Sequence, residues 1–293
     1  MDRGRRLLDG IVDYAGLFPP TAWPMADAVA EYHRQRRSDE AWMLASFVVP
    51  VRRLEEFEAA RIDQEIGDSW PISALLGSDP IGEAEELLKF LAARDHVARL
   101  EAVEFKPRTH SQVERVRKIL LNHGELFCEL SWDEDLTDWM PVLKKAGARA
   151  KIRTGGVTAD LIPPIDAVAR FLRACHEGGV GMKFTAGLHH PVRAEQSLTY
   201  DPQPPRAVMH GFMNCFVAAA LILRDDADDD TLRAVLSETD PQAFTLNDDG
   251  GVSWRDHQVT SDEARRTRER FARSFGSCSF AEPVEDLKTL ELS

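Results

Sequence analysis

The stretch ARAKIRTGGVTADLIPPIDAVARFLRACHEGGVGMKFTAG (148–187) decides the fold class. It contains two strand-like segments, ARAKIRTGG (148–156) and GMKFTAG (181–187), on either side of a helix-like pattern over 164–177. A strand, a helix and a second strand in this order are typical of a βαβ unit with parallel strands. We therefore expect residues 148–187 to form one repeat of a parallel α/β fold.

The same alternation continues toward the N-terminus. The expected strands are GIVDYAGLF (10–18), WMLASFVVP (42–50), WPISALLG (70–77), LEAVEFKP (100–107) and LFCELSW (126–132). Helical patterns over 24–37, 52–63, 81–93, 111–121 and 135–146 separate them. Seven strands in such short units predict a single (β/α)8 TIM-type barrel, α/β in class, over residues 1–293 as one domain with irregular C-terminal additions.

The region after residue 187 is less regular. Residues 189–207 form a long loop rich in proline, which we predict to be an active-site loop. The apolar run over 209–223 predicts a buried helix, and Thr260 with Glu263 predicts a capping box for a helix over 261–274. Which segment forms the eighth strand stays open. AFTLNDDGGVSWRD (243–256) fits either a hairpin or the eighth strand, and GSCSF (276–280) is the other candidate for that strand.

Composition limits the classes of partner. The chain is 43% hydrophobic and 29% charged, as in ordinary globular proteins, and its net charge of −13 disfavours nucleic acid and anionic membranes as partners. Its four cysteines show no CxxC spacing, and its longest apolar run, 212–223, is too short to span a bilayer. We expect a cytoplasmic protein with neither kind of partner, and the oligomeric state stays open, a homo-oligomer included.

Charged residues occur inside segments that should be buried. Four consecutive expected strands carry polar or ionisable side chains near their C-terminal ends, namely Glu104 and Lys106, Glu129, Lys151 and Arg153, and Lys183 and Thr185. In an α/β barrel the C-terminal ends of the strands surround the active site. Because unpaired buried charge is costly, these side chains indicate an active site or a structural ion-pair network.

These residue types suggest a reaction at the carbonyl group of a small anionic substrate. The excess of cations predicts a small anionic substrate, with Arg153 as the clamp for its charged group. Lys151 and Lys183 should lie close together, so that each lowers the pKa of the other toward the neutral amine that imine formation needs. Glu129 or Glu104 is then the general acid and base. The other expected substrate-binding residues are Lys106, Thr185, His189 and His190. Asp13 and Tyr14 are further candidates if DYAGLF is a first-strand loop, and a packing role for Tyr14 stays open.

The segments AGARAKIRTGG and GVGMKFTAG resemble strands six and seven of class I deoxyribose-phosphate aldolases, which are (β/α)8 barrels. The resemblance covers about 40 residues and implies lyase chemistry, with Lys151 as the imine-forming lysine, Lys183 as the neighbour that tunes it, and no cofactor. Arg153 stands where that family has a small residue, and no phosphate-binding Gly-Ser segment follows promptly. The whole chain also resembles a bacterial family of unassigned function with VDYAGLFPP, KIRTGG, TAGLHHP and FGSCSF segments.

Two other functions fit the same residues. In the first, Glu104, Glu129, His189 and His210 hold a divalent metal for a metal-dependent lyase or hydrolase, although no HExxH-type spacing is present. In the second, the barrel is a noncatalytic binding protein. Cys278 is expected to be a small buried thiol, because the sequence places no base beside it.

Overall fold

The computed structural model describes residues 5–121, 123–225 and 227–289; both ends of the predicted 1–293 domain lie outside them. Eight of its strands are parallel and close into a barrel. In chain order they are β1 (Val12–Tyr14), β2 (Leu44–Pro50), β3 (Trp70–Leu75), β4 (Ala98–Phe105), β5 (Glu125–Leu130), β6 (Arg149–Arg153), β7 (Met182–Thr185) and β13 (Ala272–Ser277). The predicted (β/α)8 barrel is confirmed.

Helices connect these strands and surround the barrel. They are α1 (Arg5–Leu8), α2 (Met25–Gln35), α3 (Leu54–Asp63), α4 (Pro80–Ala93), α5 (His110–Leu120), α6 (Trp139–Ala146), α7 (Ile165–Gly178), α8 (Phe212–Leu223), α9 (Asp229–Ser237), α10 (Ser261–Arg270) and α11 (Ala281–Thr289). The expected helices between the first seven strands all occur, with ends shifted by a few residues. Helix α8 is buried over almost its whole length, as its apolar sequence predicts.

The structure of residues 243–277 shows that one predicted helix ends earlier than expected, and it shows which segment is the eighth strand. Residues 243–256 do form a hairpin, β10 (Phe244–Leu246) with β11 (Val252–Trp254), which β12 (His257–Val259) extends to three antiparallel strands. The capping box of Thr260 and Glu263 is present, but α10 ends at Arg270 rather than at 274. Residues 272–277 are the eighth barrel strand, which overlaps the GSCSF alternative and pairs with both β1 and β7.

The predicted loop over 189–207 has secondary structure of its own. Strands β8 (Ala194–Ser197) and β9 (Arg206–Met209) pair as an antiparallel hairpin beside the C-terminal end of the barrel. The residues at its turn, 197–200, line the cavity described below. The hairpin therefore lies where a cover for the barrel mouth would lie.

Aromatic side chains fill the layer between the first strands and their helices. Tyr32, Phe47, Phe57 and Trp70 are fully buried, and their ring centroids lie 4.8–6.1 Å apart. Such rings bury large apolar areas and add favourable edge and offset contacts. This packing fixes β2 and β3 against α2 and α3. Over the described ranges, no helix is both long enough and apolar enough to cross a membrane.

Candidate active site

A cavity of about 350 Å³ opens at the C-terminal ends of the barrel strands. One part of its wall is polar and includes Lys151, Arg153 and Glu129, and another part is apolar and includes Phe18 and Leu198. This is the end of the barrel at which (β/α)8 enzymes bind their substrates. Its size suits a small molecule that has both a charged group and an apolar part.

Strand register brings the charged side chains to one level. Glu129 of β5 pairs with Lys151 of β6, and Lys151 pairs in turn with Lys183 of β7. Adjacent residues in register on parallel strands point to the same side of the sheet. Alternation along β4 places Glu104 inward as well, where it meets both lysines.

The inward side chains form one continuous chain of ion pairs. Lys183 Nζ lies 2.5 Å from Asp13 Oδ2 and 2.6 Å from Glu104 Oε1. Lys151 Nζ lies 2.8 Å from Glu104 Oε2 and 2.9 Å from Glu129 Oε2. We call these five residues the ionic chain: Asp13, Lys183, Glu104, Lys151 and Glu129. Three carboxylates and two ammonium groups alternate along it, so each buried cation has two counter-ions.

Serine hydroxyl groups complete the inner end of the ionic chain. Ser73 donates a hydrogen bond to Glu104 Oε1 at 2.5 Å, and Ser46 donates one to Asp13 Oδ1 at the same distance. Ser274 of β13 donates to the other oxygen of Asp13. Both oxygens of Glu104 are therefore occupied by donors, which leaves Glu129 as the more available carboxylate.

The expected lowering of a lysine pKa is wrong for this arrangement. Burial alone would lower the pKa of Lys151, but the charges and hydrogen bonds of Glu104 and Glu129 raise it above its usual range. The pKa of Lys183 is raised in the same way by Asp13 and Glu104. The sequence shows two lysines at one level but not the carboxylates between them, and those carboxylates outweigh the mutual repulsion of the ammonium groups.

Glu104 and Glu129 of the ionic chain remain charged at neutral pH. Burial would raise the pKa of Glu104, but Lys151 and Lys183 lower it well below its usual range. Glu129 behaves similarly, because Lys151 and then Arg153 lower its pKa against the effect of burial. Both groups are therefore proton acceptors rather than donors in the empty pocket.

Arg153 lies at the outer end of β6, on the cavity wall. Its side chain is 44% exposed, with Nε 3.9 Å from Glu129 Oε1, and Nη1 donates to the carbonyl oxygen of Gly155 at 3.3 Å. Thr185, at the end of β7, also lines the cavity. An arginine that is only loosely held at a cavity mouth can turn to bind an anion from solution.

The turns after β6 and β7 hold these residues together. Thr154 donates a hydrogen bond from its hydroxyl group to the carbonyl oxygen of Ala186 at 2.5 Å. Gly187 has a φ of +77°, and a Cβ there would lie 2.6 Å from the Cα of Gly155. Only glycine tolerates both the backbone angle and the contact. The TGG and TAG sequences therefore fix the two lysine-bearing strands side by side.

Lys106 does not join the site. Because β4 ends at Phe105, the alternation of inward and outward side chains stops there. The side chain of Lys106 is exposed, and it lies outside the residues that line the cavity. The prediction that Lys106 shares an inward face with Glu104 is therefore wrong.

The two adjacent histidines both contact α11. His189 Nδ1 lies 3.0 Å from Glu282 Oε2 and 3.3 Å from Ser277 Oγ. His190 Nδ1 contacts the carboxylate of Asp286, one helical turn further along α11. Both histidines line the cavity, on the wall that includes Glu282. They are available to a ligand from there, and neither contacts the ionic chain.

The four residues of the metal alternative do not converge. His210 is buried away from the cavity, where its Nε2 lies 2.8 Å from the carbonyl oxygen of Pro163 and its Nδ1 faces Arg193. Burial lowers its pKa to about 4. Across the three described ranges, no group of three or more His, Cys, Asp and Glu side chains has an arrangement that could hold a metal ion. The predicted ligand set of Glu104, Glu129, His189 and His210 is wrong as a set.

Three residues of the cavity wall are not among the expected site residues; Cys278 is buried, as expected, but the expectation that no base lies beside it is wrong. Cys278 Sγ lies 3.9 Å from His189 Nε2, and Glu282 and Tyr200 line the cavity beside them. A glutamate four residues after a cysteine, at the start of a helix, was the available signal for Glu282. Nothing local in the sequence marks Tyr200.

A scan against models of protein families matches none of them, and a search of curated proteins gives no match to this chain.

Proposed function

We propose that this protein is a lyase of the imine-forming type, which makes or breaks a carbon–carbon bond in a small anionic carbonyl compound. The observation that carries the proposal is the position of Lys151. Its amine lies at the cavity wall, within 3 Å of two carboxylates, and an arginine stands at the mouth of the same cavity. A nucleophile, proton acceptors and an anion-binding group are the parts that such chemistry needs.

The first step is a proton transfer inside the ionic chain. Glu129 accepts a proton from Lys151 across the 2.9 Å contact, which converts an ion pair to a neutral pair. A carbonyl ligand that displaces water lowers the local polarity, and a less polar environment favours the neutral pair. Glu104 stays charged, because Lys183 still neutralises it. Lys151 thus becomes a nucleophile without any lowering of its pKa in the empty site.

The neutral amine then attacks the carbonyl carbon of the substrate. The carbinolamine takes a proton from Glu129 and loses water, which leaves a protonated imine on Lys151. The imine accepts the electron pair of the adjacent carbon–carbon bond when Glu129 removes the proton of the β-hydroxyl group, so an aldehyde leaves and an enamine remains. Protonation of the enamine and hydrolysis of the imine release the second product. Condensation is the same sequence in reverse.

The cavity wall supports a substrate that has an anionic group and an apolar part. Arg153 supplies a guanidinium group that binds a carboxylate or a phosphate through two parallel hydrogen bonds. Phe18, Leu198 and Met209 form an apolar surface in the same cavity. The hairpin of β8 and β9 contributes residues 197–200 to the wall, and we expect it to reduce the access of water during the reaction.

Trapping with borohydride tests the proposal. The wild-type protein is incubated with a panel of small aldehydes and keto acids, reduced with sodium borohydride and measured by intact mass. We expect a stable adduct with at least one member of the panel, and the same adduct in Lys106→Ala, whose lysine is exposed outside the cavity. No adduct with any member, with or without a bound metal ion in the same preparation, would contradict the proposal.

Replacing Arg153 should weaken capture of anionic carbonyl compounds specifically. In Arg153→Ala we expect the concentration of glyoxylate for half-maximal trapping to rise about tenfold, with little change for acetaldehyde, which has no charge. Hydrogen bonds to charged groups contribute about 1.5–3 kcal/mol, and the lower value applies because the side chain is 44% exposed. Arg108→Ala, at an exposed position after β4, is the control. Equal losses for both compounds would argue against an anion clamp.

The rate of imine formation should depend little on pH. The raised pKa of Lys151 keeps its amine protonated in the empty site, and its proton passes to Glu129 rather than to solvent, so bulk pH does not change the reactive fraction. We therefore expect the initial rate of adduct formation with glyoxylate, sampled by borohydride quenching, to change by less than about twofold from pH 7 to pH 9. An increase of about tenfold per pH unit would mean that solvent, not Glu129, takes the proton.

A further inference from the structure

A second cluster of ionisable side chains lies on the wall of the same cavity. Cys278 directly follows β13, His189 follows the turn after β7, and Glu282 lies in the first turn of α11. His189 Nε2 lies 3.9 Å from Cys278 Sγ, and His189 Nδ1 lies 3.0 Å from Glu282 Oε2. The imidazole thus stands between the thiol and the carboxylate, with one ring nitrogen toward each. All three residues line the cavity.

This order of groups is that of an activated nucleophile. A thiol needs a base within hydrogen-bonding reach, and the base needs a third group that fixes its ring orientation. Glu282 serves as that third group, and Ser277 Oγ adds a contact to the same ring nitrogen at 3.3 Å. Cys278 and Glu282 are four residues apart in the chain, and the closure of the barrel brings the distant His189 to them.

The electrostatics of the cluster favour a pair of a Cys278 thiolate and a His189 imidazolium. Burial would lower the pKa of His189, but its contacts with Cys278 and Glu282 raise it to about 10. Burial would raise the pKa of Cys278, but the hydrogen bond and charge of His189 lower it below its ordinary value. The three other cysteines, Cys128, Cys175 and Cys215, differ in this respect, because burial raises the pKa of each.

The remaining groups that face Cys278 are few and mostly neutral. Thr21 directs hydrogen bonds from its side chain and its backbone to the thiol, and both also lower its pKa. Burial raises the pKa values of Tyr14 and Tyr200, and the charge of Cys278 adds to the effect, so both phenols stay protonated. Glu282 is the nearby carboxylate, and its charge is balanced by His189.

We propose that Cys278, His189 and Glu282 form a second reactive centre, in which the Cys278 thiolate attacks the carbonyl carbon of an ester or thioester bound in the cavity. The sulfur–carbon bond forms as the carbonyl oxygen takes the electron pair. When that pair returns, the bond to the leaving oxygen or sulfur breaks, and the leaving group takes the proton of the His189 imidazolium. Water, deprotonated by His189, then hydrolyses the acyl-cysteine and releases the acid. No oxidant or further reactant is needed.

The second centre does not depend on imine chemistry at Lys151. The ionic chain and the Cys278 cluster share the cavity, but no contact joins them. A carbonyl carbon is the target of both nucleophiles, which differ in the bond that they break. Failure of borohydride trapping would therefore leave the proposal for Cys278 untouched, and the reverse also holds.

The test uses p-nitrophenyl acetate as the acyl donor. We expect a stoichiometric burst of p-nitrophenolate, and a gain of one acetyl group that peptide mass analysis locates on Cys278. Cys278→Ser and Cys278→Ala should lose the burst, and His189→Gln should slow acylation by about 10²-fold, as removal of a general base does. Lys106→Ala, at an exposed position outside the cavity wall, should retain it. Acylation that survives in Cys278→Ala, or that is as fast in His189→Gln as in the wild type, would overturn the proposal.

A second measurement needs no variant. Alkylation of the native protein by iodoacetamide should label Cys278 alone, since of the four cysteines it is the one that lines the cavity, and burial raises the pKa of each of the others. For an ordinary thiol, with a pKa of about 8.5, the rate rises about tenfold for each unit that the pH increases toward that value. We expect the rate at Cys278 to vary less than this between pH 6 and pH 8. The full tenfold increase per unit would show an ordinary thiol and contradict the thiolate–imidazolium pair.

Discussion

Lys151→Ala should abolish the adduct that borohydride traps, with every aldehyde and keto acid that labels the wild-type protein. The reason is that Lys151 lines the cavity, whereas the side chain of Lys183 is 1% exposed and is not part of the cavity wall. Once a turnover substrate is identified from the mass of the adduct, we expect kcat to fall by about 10³-fold or more, as is typical when a nucleophile is removed.

Two variants separate loss of the nucleophile from loss of the fold. Lys151→Met preserves most of the side-chain volume but not the amine, and it should lose the adduct as completely as Lys151→Ala does. Glu129→Gln keeps the amine but removes the proton acceptor, so it should slow adduct formation by about 10²-fold. Retention of the adduct in Lys151→Met, with unchanged circular dichroism, would exclude Lys151 as the imine-forming residue.

Lys183→Met should lower the free energy of unfolding by about 3–5 kcal/mol, the cost of leaving buried charges without their partner. Lys183 is fully buried, and its ammonium group is the contact between Asp13 and Glu104. Its removal leaves the carboxylate of Asp13 with serine donors alone. Urea denaturation followed by circular dichroism measures the change.

A second substitution and a control at the surface test whether uncompensated buried charge causes the loss of stability in Lys183→Met. Asp13→Asn in the Lys183→Met background should recover part of the loss, because the uncompensated charge is then removed. Lys145 forms an exposed pair with Glu114, at 79% and 53% exposure, so Lys145→Met should change the free energy of unfolding by less than about 1 kcal/mol. A similar small loss for Lys183→Met would mean that the ionic chain contributes little to stability.

The sequence predicts much of the barrel because most of its strand segments differ clearly from the helical segments between them. The segments from 42 to 187 alternate between apolar strands and amphipathic helices, and Glu104, Glu129, Lys151 and Lys183 occur where each strand approaches its C-terminal end. A charge in an apolar strand is a strong signal, since burial without a partner is costly. That signal identifies the four inward side chains but gives neither their partners nor the sign of their pKa shifts.

The eighth strand carries no comparable signal. Residues 272–277, ARSFGS, follow the polar helix α10 without a proline or glycine stop, and they contain no β-branched residue. Their strand conformation comes from the unpaired edges of β1 and β7, which they join. A long-range effect of this kind is not visible in a local pattern.

The Cys278 cluster was beyond sequence reasoning for a related reason. Cys278 and His189 are 89 residues apart in the chain, so their contact depends on the closure that the eighth strand provides. Lys106 shows the opposite error: it has the spacing of an inward side chain but lies one residue past the end of its strand. Strand ends, which decide both cases, are the least predictable feature of a sequence.

The position of the reduced adduct tests the central claim most directly. The wild-type protein is trapped with borohydride and the carbonyl compound that gives the highest yield, then digested and analysed by peptide mass spectrometry. The site described here predicts a single modified residue, Lys151, in the peptide that begins after Arg149. Modification at Lys183, at exposed lysines such as Lys106, or spread over several lysines would contradict it.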